Sequence, residues 1–193
     1  MSQVFRRPRL SAGLPVILMA LALCGCAASG PPDGADSDVG AGVAQVVLDQ
    51  PQAVQLGPLN FELPAGFTPA RQREGWGPFT STWERSVDGA VVEQVLAGEL
   101  GTVESADSVR VIVHSALAML FEGYQPGQPA QRELGEHATV EEMQFHFGED
   151  GQDSGLLWLI ADDQARVGVV VDARAAGQPL QAQPTIAASL LLH

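Results

Sequence analysis

The chain has 193 residues, 46% of them hydrophobic, and 10 basic against 23 acidic side chains for a formal charge of −13. Every base is an arginine, which excludes a Gly-x-x-x-x-Gly-Lys phosphate loop, a Schiff-base lysine and a Ser-Lys nucleophile pair. So acidic a surface repels phosphate backbones, and no nucleic-acid partner is expected.

Arg6, Arg7 and Arg9 precede an apolar run from Leu14 to Leu23, the charged and hydrophobic regions of a secretory signal peptide. The run is shorter than the roughly 20 residues a spanning helix needs. Leu23-Cys24-Gly25-Cys26 follows. This resembles the lipobox of bacterial lipoproteins, which implies cleavage after Gly25, diacylation of Cys26 and a mature chain beginning there. Ordinary secretion with cleavage near Ala27 or Ala28 is the alternative. Arg6-Arg7 also admits twin-arginine export, although Pro8 and Arg9 stand where that signal prefers hydrophobic residues. Two acyl chains hold a membrane stably where one holds it marginally, so Cys26 is read as a tether on the outer face of a cell membrane.

Removing residues 1–25, which carry three arginines and no acid, moves the charge from −13 to −16. It also uses both cysteines, so the folded part has no thiol for a disulfide, a nucleophile or a metal. No cofactor is expected. Ser29 to Gly42 is rich in Gly, Pro, Asp and Ser, a linker composition, and residues 26–43 form an acylated, flexible acidic tether of roughly 20–25 Å. Asp36-Ser37-Asp38 lacks the further ligands of a calcium loop. One globular domain is expected over residues 44–193.

Leu59, Phe61 and Leu63 alternate with polar residues as a half-buried strand, ended by Pro64-Ala65-Gly66. Residues 78–100 read as an antiparallel hairpin turning at Asp88-Gly89, a dipeptide that tolerates the positive φ angles of a type I′ turn. Val109, Ile112, Val113, Ala116, Leu117, Leu120, Phe121 and Tyr124 recur at helical spacing. Ser105 or Asp107 can cap that helix and Gly123 can end it; His114 falls off the stripe, as an exposed imidazole. Met143, Phe145 and Phe147 mark another strand. Leu156–Ala161 and Arg166–Val171 mark two more, the last apolar on both faces as a central strand would be. Residues 179–192 carry a second helical stripe, with Pro184 tolerable in its first turn.

The expected architecture is α+β, an antiparallel sheet of about six strands flanked by two helices. This order, with Phe61-Glu62-Leu63-Pro64-Ala65-Gly66-Phe67, the helix from Val109 to Tyr124 and Ala188-Ser189-Leu190, resembles the PsbP-like α/β/α sandwich of LpqN- and DcrB-type envelope lipoproteins. The resemblance covers about residues 53–192 and implies a binding or accessory role, with no catalytic residues to transfer.

The mature part contains no Gly-x-Ser-x-Gly elbow and no His-Glu-x-x-His helix. His114, His137 and His146 have no local metal-ligand spacing, although with Glu141 or Glu142 they could meet in space. Glu149, Asp150 and Asp153 could gather a cation, or form a solvated turn. Arg71, Arg73 and Trp76 stand together without strand or helix period, and Arg and Trp suit a recognition surface; the alternative is that Trp76 packs into the fold. Two functions follow. One is a lipid-anchored, non-catalytic envelope module binding a protein, peptide or glycan. The other is a cation-binding or cryptic hydrolytic enzyme, which would show a deep pocket with converging acids or histidines.

Overall fold

The computed structural model describes residues 50–71, 76–103, 105–178 and 181–193. Cys26 and Arg73 lie outside them. Among the described residues ten strands and two α-helices run in chain order as β1 (Gln52–Leu56), β2 (Leu59–Leu63), β3 (Thr68–Pro69), β4 (Ser81–Val87), β5 (Ala90–Thr102), α1 (Ala106–Leu120), β6 (Gln125–Leu134), β7 (Ala138–Phe147), β8 (Asp153–Asp162), β9 (Arg166–Arg174), α2 (Ala182–Ser189) and β10 (Leu191–Leu192).

Seven strands form an antiparallel sheet in the order β3-β4-β5-β9-β8-β7-β6, and β1-β2-β10 form a small second sheet. Successive strand residues face opposite sides, so the large sheet supplies two cores. On one side Leu96, Phe145, Leu157, Val169 and Val171 meet Val113 and Leu117 of α1 and Phe121 just past its end. On the other, Val95, Trp158, Ile160 and Val170 meet Leu59, Phe61 and Leu63 of the small sheet and Ala182 and Ile186 of α2. The strand β9 is fourth of seven and covered on both faces, as its unbroken apolar run anticipates. The sandwich expected from the sequence is therefore present, with more strands than six and with a small sheet sharing one outer layer with α2.

The hairpin turns where expected, with Asp88 at φ 52° and Gly89 at φ 77°. Ser105 caps α1 by accepting a hydrogen bond from the Ser108 N–H. The stripe of α1 is narrower than its spacing suggests: Ile112 is 50% exposed, alongside exposed Val111 and Met119. The second helix stops at Ser189, because the chain there turns extended and Leu191 and Leu192 pair with β2. Pro184 sits in its first turn, where a missing N–H breaks no intrahelical bond. The strand β6 was not legible in the sequence. Pro126 and Pro129 argue against a central strand, but β6 is an edge, with a register shift between the two prolines.

Candidate functional site

The helix α2 joins two features that could serve binding. Its later residues Thr185, Ala188 and Ser189 wall an open groove of about 590 Å³, floored by Ala53, Val54, Gln55, Asn60, Phe61 and Glu62 of the small sheet and edged by Leu191. Alternation along β2 sets this up: Leu59, Phe61 and Leu63 enter the core, leaving Asn60 and Glu62 to face out. The groove wall is fixed by the Ser189 hydroxyl, which accepts from the Glu62 N–H at 2.8 Å and donates to the Thr185 carbonyl at 2.7 Å. Amide, carboxylate and hydroxyl groups beside small apolar side chains suit a polar ligand held by hydrogen bonds.

The start of α2 rests on a buried polar cluster. Glu93 is fully buried; its Oε1 accepts from the Ala182 N–H at 3.1 Å and the Gln181 N–H at 3.4 Å, and its Oε2 pairs with Arg85 Nε at 2.7 Å. The sheet register makes this inevitable, because Arg85 on β4 and Arg174 on β9 both stand directly opposite Glu93 on β5. Asp172, 1% exposed, shares a hydrogen bond with Glu93. Burial, and then the adjacent Glu93 carboxylate, push its pKa up to about 8. One oxygen of Asp172 and one nitrogen of Arg85 have no hydrogen-bond partner among the described residues. Sequence reading passed over this cluster, although charges set inside the apolar runs 91–97 and 167–173 were a visible signal.

A third polar group holds α1 to the sheet. Arg110 grips Glu141 of β7 through two hydrogen bonds of 2.9 and 2.6 Å and also pairs with Asp107. The Arg110 hydrogen bonds hold the Glu141 carboxyl below its ordinary range. His114, one turn further along α1, is half-buried, its Nδ1 2.6 Å from the Tyr124 hydroxyl, rather than an exposed imidazole. Burial, then the Arg110 charge, lower its pKa, and burial raises that of Tyr124. Both are thus neutral at pH 7 and share this one hydrogen bond.

Of the residues singled out for recognition, Arg71 is exposed, Arg73 lies outside the described residues, and Trp76 is buried at 9% exposure against α1. Trp76 therefore packs into the fold instead of standing on the surface beside Arg71. The reason is a close crossing: the chain from Trp76 to Phe79 passes over β5 at Gly98, where a Cβ would fall 2.0 Å from the Pro78 carbonyl oxygen. Among the described residues no three His, Asp or Glu side chains are gathered to hold a metal. His137 pairs instead with Asp163, and Asp153 accepts from the Ala176 N–H. Among the same residues no helix is long and apolar enough to cross a membrane.

No protein-family model matches the chain, and no curated protein does. Solved structures do. Cyanobacterial PsbP (CyanoP) from Synechocystis sp. PCC 6803 superposes with a TM-score of 0.54 at 10% identity, covering 83% of this chain and 98% of that one. LpqN, involved in cell envelope biogenesis of Mycobacterium tuberculosis, gives a TM-score of 0.48 at 12% identity over 74% and 90% of the two chains. At such identity the likeness to CyanoP is one of architecture, and the chain has the PsbP-like fold.

Proposed function

We propose that this protein is a lipoprotein of the bacterial cell envelope, anchored through diacylated Cys26 on the outer face of a membrane, whose domain is a non-catalytic binding or accessory module. The observation that carries the anchor is Leu23-Cys24-Gly25-Cys26, set directly behind a basic segment and an apolar run too short to span. The groove between α2 and the small sheet is the binding surface, since it joins concavity to outward hydrogen-bonding groups. A protein, peptide or glycan fits its open shape.

Fractionation of cells expressing wild type and Cys26→Ser tests the reading. The wild type is expected in the membrane pellet and the variant in the soluble extracytoplasmic fraction, folded and cooperative in melting. Equal membrane retention of the two overturns the anchor.

A further inference from the structure

We infer that Arg85, Glu93 and Asp172 form a proton-held latch that pins the start of α2, so that loss of one proton loosens the helix and the groove it walls. The geometry states the device. One carboxylate, Glu93, does two tasks at once: it neutralises Arg85 and accepts from the backbone N–H groups of Gln181 and Ala182. Those N–H groups head a helix in which neither Gln181 nor any acid of the first turn supplies a cap. The hold on the start of α2 therefore comes from the sheet beneath it.

Asp172 decides whether that hold persists. It packs from β9 against Glu93 on β5, with Arg85 arriving from β4 and Arg174 two residues along its own strand. Its neighbour across β8 is the uncharged Leu156. With Asp172 protonated, one arginine and one carboxylate balance in the buried cluster, and the Asp172 proton supports Glu93. With Asp172 ionised, two carboxylates adjoin in a site closed to water and compete for Arg85, whose free nitrogen is then drawn away from the present arrangement. Glu93 relieves its new neighbour's repulsion by moving from the α2 N–H groups. The folded-state pKa of Asp172, about 8, is raised from 3.8, so the hold is whole below 3.8 and is lost as pH rises from there through about 8, loosening α2. The same helix walls the groove through Thr185, Ala188 and Ser189, so the latch deepens the binding reading; its test reads α2 directly and is independent of anchoring or of any ligand.

Hydrogen exchange of the full chain in neutral detergent, followed by mass spectrometry at pH 6 to 9 and corrected for intrinsic exchange, makes the comparison. Protection of the 182–189 amides, relative to those of 109–117, is expected to fall about tenfold between pH 7 and 9 in the wild type. Asp172→Asn should hold that ratio flat, because the amide stays neutral. Should Asp172→Asn fail to fold, Glu93→Gln serves instead, with lower protection at every pH and no step near 8. A wild-type ratio that does not change, or a step that survives in the neutral variant, overturns the latch.

Discussion

Truncating Trp76 to Ala separates the two roles open to the Arg71–Trp76 segment. Trp76 is 9% exposed and lies in the core beneath α1 with Phe79, Leu96 and Ala116. Truncation of a buried Trp removes its transfer energy and leaves a cavity, a loss of about 3–5 kcal/mol. With an unfolding entropy of about 2.1 cal/mol/K per residue over roughly 140 ordered residues, the melting temperature should drop by about 10–17 °C. Arg71 is exposed, and Arg71→Ala should move stability by no more than about 0.5 kcal/mol, or roughly 2 °C. Scanning calorimetry of both variants beside the wild type reads the contrast. If Trp76→Ala melts within about 3 °C of wild type, the indole is not core and the crossing at Gly98 does not bury it.

Gly98→Ala should have a comparable cost without touching Trp76, since the added methyl meets the Pro78 carbonyl; near-UV circular dichroism should show a changed tryptophan band, and an unchanged spectrum and melting point would contradict the crossing. Leu117→Asp puts an unpaired charge at a position with 0% exposure, and a cost of several kcal/mol should abolish the cooperative transition; a sharp melt near the wild-type value would show that this face of α1 is not core. Glu141 is an acid held below its ordinary pKa of 4.5, so its stabilisation is present above 4.5 and fades as pH falls through the lower folded value. Arg110→Met removes that partner, and urea titrations should find the deficit largest at pH 7 and smaller at pH 3, whereas a deficit independent of pH would assign Arg110 a packing role only.

What the sequence made legible was local. The period of α1 and the Asp88-Gly89 turn are set by residues within a few positions of one another, and both are found where they read. The central place of β9 followed from one run, because a strand covered twice has no polar face to show. What escaped was decided by distant neighbours. The β6 prolines look like breakers until the strand is known to be an edge, where an absent N–H can face solvent. The burial of Trp76 depends on a crossing 22 residues ahead at Gly98, a glycine inside an apolar strand and therefore a hint of close backbone approach. The acids Glu93 and Asp172 were readable as charges on an inward-facing row, but their meeting depends on the pairing of β5 with β9. The groove exists only once β10 has turned back onto β2.

Acylation of Cys26 as the first residue is tested most directly by intact-mass and N-terminal peptide analysis of the protein recovered from its own cells. The expected result is a mature chain beginning at Cys26 and carrying the mass of a diacylglyceryl group. An N-terminus at Ala27 or Ala28, or a chain retaining residues 1–25 without lipid, would contradict it.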